Sequence, residues 1–107
     1  MKLIPAFTAL VITFASLPTL ADDAAARASE AAAKASAALQ QGNYRGAARQ
    51  FGLAYVLSKK KAYLASCKEA FAANMKADAI FRNGVITTGI TAENYCITEG
   101  TDLAGTD

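Results

Sequence analysis

Apolar and polar positions follow helical spacing through most of the chain. From Asp22 to Gln41 the sequence is alanine-rich, with Ala24, Ala28, Ala31, Ala35 and Ala38 on one stripe and Leu39 as its only large apolar residue. Alanine is the strongest helix former, so this segment reads as a helix rather than a low-complexity linker. A second helix is predicted over Tyr44–Ser58, where Ala47, Phe51, Ala54 and Tyr55 share a face. A third, Lys61–Arg82, puts Tyr63, Leu64, Cys67, Ala70, Phe71, Met75 and Phe81 on one side, with Asp78 as a polar interruption. Asn83-Gly84 reads as its stop. Residues 85–90 are β-branched and fit either a short extended segment or a weak helix start. Thr91 then suits the N-cap of a short helix, Ala92–Glu99, with Gly100 beyond its end and residues 101–107 as a flexible polar tail.

The turn between the first two helices is the most distinctive stretch. Gly42 suits a left-handed helix end and Asn43 an N-cap, so Tyr44 opens a new helix. Gly42, Asn43, Tyr44, Ala47, Phe51 and Ala54 together resemble the second half of a tetratricopeptide (TPR) repeat: a Gly-Asp/Asn-Tyr turn, a small residue, an aromatic four later and another small residue. In that register the repeat runs from Ala28 to Lys61. Ala31 and Lys34 stand where the pattern prefers a large aromatic and a Leu, Ala35 suits its place, and Lys59 replaces the closing Pro. The resemblance covers about one repeat, whereas a free-standing solenoid needs about three. It implies an all-α fold, a TPR-like antiparallel helical hairpin with additional helices. It also implies a protein-binding role through the inner face of the first helix. Because Ala31 and Ala35 pack on the second helix, that face falls on Ser29, Ala32 and Ser36.

Residues 1–21 read as a secretory signal peptide: Lys2 is the positive flank, Ala6 to Ala15 the apolar run, and Thr19 and Ala21 the small residues before the cut. Pro5 and Pro18 bracket the run and Asp22-Asp23 follow it, which argues against a buried N-terminal helix. The run is too short to span a bilayer, so no stable membrane span is expected after leader removal. The expected location is the periplasm or outside the cell, and the domain occupies residues 22–100. A mature chain of under about 90 residues buries only about 60–65% of its unfolded surface, and alanine contributes little of that. Such a core benefits from a staple or a partner.

The 107 residues carry 11 basic and 9 acidic side chains, a net charge of +2 that falls to +1 when Lys2 is lost with the leader. This balance gives no nucleic-acid signature. The chain contains no His, which removes Ser-His and Cys-His catalytic pairs within one chain and most zinc sites. No cofactor, metal site or catalytic residue is expected. Ser58-Lys59-Lys60-Lys61 matches a Ser-x-x-Lys spacing without its companion motifs, and its lysines read as a solvated turn and helix start. Cys67 and Cys96 are the only cysteines, and in an exported chain two cysteines most often form one disulfide. Free thiols or an intermolecular bridge are the alternatives. Tyr44, Tyr55, Tyr63, Phe51 and Phe71 read as core rather than as a ligand-lining cluster, and Lys34, Arg45 and Arg49 as a solvated face or a basic one for an acidic partner. The expected function is an exported helical adaptor that binds another protein without catalysis. The alternative is an envelope-associated structural protein that self-associates through its alanine-rich helix.

Overall fold

The computed structural model describes the backbone of residues 20–105 and the side chains of residues 23–105. Among the described residues there are five helices: α1 (Leu20–Gln40), α2 (Tyr44–Ser58), α3 (Lys61–Ala77), α4 (Ala79–Thr88) and α5 (Ala92–Gly105). Among the described residues there is no strand, and the fold is all-α. The leader lies outside the described residues, except that Leu20 and Ala21 already belong to the first turn of α1.

The α1–α2 turn is built as its residues dictate. Gly42 adopts a left-handed conformation (φ 77°). Its N–H donates to the Leu39 carbonyl, and the Asn43 N–H donates to that of Ala38 at 2.8 Å. This is the Schellman arrangement, which satisfies carbonyls that the helix end would leave open. Asn43 then caps α2, its Oδ1 accepting from the Gly46 N–H at 2.9 Å. A turn this short makes α1 and α2 antiparallel neighbours.

Helix α2 is the element on which α1, α3 and α5 all pack. Five of its residues, Ala47, Ala48, Phe51, Gly52 and Ala54, are buried, on a surface wide enough to meet three neighbours. On one side Ala54 meets Ala28 and Ala31 of α1, with Tyr63 and Leu57 packed around them. On the other, Ala47, Ala48 and Phe51 join Ala35, Cys67, Ala70, Phe71, Tyr95 and Cys96. With so many alanines, the larger burial terms come from Phe51, Phe71 and Tyr95, each worth about 1.5–3 kcal/mol for a ring or comparable side chain taken fully from water.

Three boundaries differ from the sequence expectation. The long third helix is two helices, because Asp78 is extended (φ −128°, ψ 104°) and caps α4. Its Oδ1 accepts from the Phe81 N–H at 3.1 Å. Asp competes for backbone donors in just this way, so the interruption ends one helix and starts the next. Asn83-Gly84 consequently stops nothing: both lie inside α4, which ends at the left-handed Gly89. Residues 85–88 are therefore helical rather than extended. Finally, Gly100 does not end the last helix, and the segment read as a flexible tail is helical through Gly105. Thr91 does cap α5, its Oγ1 accepting from the Asn94 N–H at 3.1 Å.

Candidate functional site

Ala28, Ala31 and Ala35 of α1 are buried, and they form the stripe by which this helix docks. At 3.6 residues per turn, that stripe divides the remaining surface of α1 into two flanks. Ser29, Ala32 and Ser36, the positions singled out for partner binding, lie on one of them. Ser29 and Ser36 are exposed. Ala32 is half-buried and packs, like Tyr63 of α3, against the Ala28, Ala31 and Ala54 cluster. This flank therefore looks toward α3, with Ala32 contributing to packing as well as to surface.

The other flank carries Arg27, Glu30 and Lys34. Together with Ala31, with Gln50 and Leu53 of α2 and with Leu103 of α5, they line a cleft of about 310 Å³. It opens between α1 and α5, with α2 beneath. Glu30 and Lys34 are four residues apart in the orientation that favours pairing on a helix, yet no ion pair joins them. The sequence reading missed this cleft because α5 was expected to end at Glu99, short of Leu103.

The basic face does not form. Lys34 stands at the cleft. Arg49 pairs with Glu99 of α5, Nε to Oε1 at 2.7 Å, and Arg45 lies over the Phe81 ring, 5.9 Å from its centroid. Of the aromatic residues read as core, Phe51 and Phe71 are buried, while Tyr44, Tyr55 and Tyr63 are half-buried. The ring cluster that does form is Phe71, Phe81 and Tyr95, with centroids 5.1 to 5.5 Å apart. These are edge-on and tilted contacts of the favourable kind.

Beside this cluster Cys67 and Cys96 form a disulfide, both fully buried, with Cα atoms 6.1 Å apart. The Cys67 sulfur also lies 2.9 Å from the Ala48 carbonyl oxygen; as a disulfide sulfur has no proton to donate, this is a packing contact. Two buried polar atoms here, Tyr95 Oη and Asn74 Nδ2, have no hydrogen-bond partner among the described residues. Burial pushes the Tyr95 phenol above its ordinary value and the Glu99 charge adds to the shift, while Arg45 and Arg49 oppose it. Arg45 is near enough to attract a phenolate, but none of its N–H groups meets the distance and angle of a hydrogen bond to the hydroxyl.

Among the described residues, no group of three or more His, Cys, Asp or Glu side chains is gathered where it could hold a metal ion. None of the described helices is long and apolar enough to cross a membrane. No family model, curated protein or solved structure matches the chain.

Proposed function

We propose that this chain is an exported, non-catalytic module that binds another protein, built on a TPR-like hairpin, with the contact on the α3-facing flank of α1 at Ser29, Ala32 and Ser36. The observation that carries the reading is the way α1 docks. A stripe of methyl groups holds it against α2, and Ser29 and Ser36 beside that stripe stay exposed. Short side chains there leave room for the larger ones of a partner. A specific stable interface normally buries about 800 Å² on each partner, so the contact extends from these serines onto neighbouring surface.

Export is supported by the buried disulfide, which persists in oxidising compartments, together with the leader pattern of residues 1–21. Catalysis is disfavoured by the absence of His from the sequence and by titratable residues that are scattered rather than convergent.

The test is photo-crosslinking from position 29 or 36 in cells that express the chain, with position 86 on α4 as the control. A discrete adduct from position 29 that is lost when Ser36→Glu is added, and one from position 36 that is lost when Ser29→Glu is added, with neither formed from position 86, support the assignment. These serines are better probes than Ala32→Glu, because Ala32 also packs against the core. Adducts that survive the substitution at the other serine overturn it. Intact mass of the exported protein checks the cut after Ala21.

Self-association through α1 is the second reading, favoured by the exposed Ala26, Ala33 and Ala37 on the outer side of that helix. A concentration-dependent oligomer in size-exclusion chromatography, abolished by Ala33→Glu, would select it over the adaptor.

A further inference from the structure

We propose that the cleft between α1 and α5 binds a terminal carboxylate carried next to an aliphatic side chain, as at the C-terminus of a peptide. This goes beyond the partner face on the opposite flank of α1. Its volume of about 310 Å³ lies at the lower end of the 300–1,000 Å³ typical of small-ligand sites. That suits one terminal residue rather than a long segment.

The lining supplies the matching chemistry. Ala31, Leu53 and Leu103 make an apolar surface from three different helices, which suits a branched aliphatic side chain. Lys34 makes no ion pair or hydrogen bond with any described residue, and its ammonium is the group for the carboxylate. Glu30 stands one turn before it on the same wall and accepts the N–H of the same ligand residue, while the Gln50 amide can donate or accept beside them. An acceptor and a cation one turn apart match the N–H and the carboxylate of a single residue, and this gives the unpaired Glu30 and Lys34 a role. Their charges would otherwise be expected to meet each other.

The test is a nitrogen-15 NMR titration of the purified disulfide-bonded protein with N-acetyl-leucine, an acetylated tripeptide ending in leucine, and N-acetyl-leucinamide. N-acetyl-leucine should shift the amides of Ala31, Lys34, Gln50, Leu53 and Leu103 in a saturable way. N-acetyl-leucinamide, which lacks the carboxylate, should bind at least about tenfold more weakly. Lys34→Gln should weaken N-acetyl-leucine by roughly tenfold, equivalent to about 1.4 kcal/mol, with an unchanged spectrum elsewhere. Lys68→Gln, on α3 beside Glu93, should not. Tighter binding of the tripeptide assigns the site to chain termini, and equal binding assigns it to free carboxylated small molecules. Unsaturable shifts, shifts that map elsewhere, equal binding of the leucinamide, or full affinity in Lys34→Gln each overturn the proposal. None of these readouts involves Ser29 or Ser36, so the partner face stands or falls separately.

Discussion

Gly52 of α2 and Gly100 of α5 lie backbone to backbone, and no side chain fits between them. A Cβ placed on Gly100 would overlap the Gly52 carbonyl and come within 2.8 Å of the Leu53 nitrogen, while one on Gly52 would run into the Cys96 carbonyl. Both glycines are buried inside helices, where glycine costs roughly 0.5–1 kcal/mol relative to alanine. The close approach they permit brings Cys96 onto the face that Cys67 shares. Gly100→Ala should therefore destabilise by about 1–3 kcal/mol through overpacking. Gly84→Ala, in α4 with nothing near its Cβ, should instead stabilise by about 0.5–1 kcal/mol. Denaturant melts of the two variants check the contrast, and equal responses would mean that α2 and α5 do not cross at these glycines.

The disulfide closes a chain segment with a sequence separation of 29 residues. In the chain-entropy model a loop of that size is worth about 3–4 kcal/mol, comparable with much of the stability of so small a domain. Reduction, or Cys67→Ala with Cys96→Ala, should lower the unfolding midpoint accordingly. The loss should appear first as increased amide exchange in α5, which α2 and the disulfide hold in place. Non-reducing peptide mapping should show one linked pair. Two free thiols in the folded protein would refute the staple.

Phe51 is buried on the central helix, within the larger core cluster. Phe51→Ala should cost about 3–5 kcal/mol, because the alanines around it cannot close the cavity. A thermal melt within error of the parent would contradict the burial of this face.

What could be read from the sequence was what local chemistry decides. The limits of α2 followed from Asn43 at one end and the lysine run at the other. The alanine stripe of α1 and the inward face of Cys67 followed from helical period alone. The misread points are those where one residue type serves two structural purposes. Asp78 was a polar interruption in the pattern and proved to be a cap. Gly100 resembled a stop and proved to be a packing contact, although a glycine such as Gly52 inside a helical pattern is a signal for close approach. Tyr95 joined the core on a helix that docks with Gly100 against Gly52, a close approach that no periodicity reveals. The cleft depends on Leu103, so its detection required knowing that α5 continues past Gly100.

Lys59 ends α2 in the left-handed conformation, φ 62°, and is the only described non-glycine residue with positive φ. Its N–H donates to the Tyr55 carbonyl at 2.6 Å, so the position has the geometry of a helix C′ residue that glycine normally occupies. A side chain there costs about 1–2 kcal/mol. Glycine recovers part of that while loosening the unfolded chain. Lys59→Gly should stabilise by about 0.5–1 kcal/mol. Lys60→Gly, at an extended position (φ −82°, ψ 120°), should stabilise nothing. A Lys59→Gly melt at or below that of the parent would be inconsistent with the left-handed cap.

Tyr95 gives the fold a defined response to alkali. Burial, reinforced by the Glu99 charge, raises its phenol above the ordinary value of 10.0, against the opposing pull of Arg45 and Arg49. Below pH 10 the phenol is protonated in both folded and unfolded chains, so it adds no pH dependence. As pH rises past 10 the unfolded chain releases the proton first, and folding stability falls until the folded-state value is passed. The unfolding midpoint should therefore drop across that window, and Tyr95→Phe should flatten the drop. Because the hydroxyl is buried without a hydrogen-bond partner among the described residues, the same substitution removes an uncompensated polar group while keeping the ring against Phe71 and Phe81. At neutral pH it should leave stability unchanged or raise it. Ultraviolet titration of the tyrosines checks the order of ionisation. If Tyr95→Phe destabilised the protein at pH 7 and left the alkaline profile unaltered, the hydroxyl would have to be a bonded group after all.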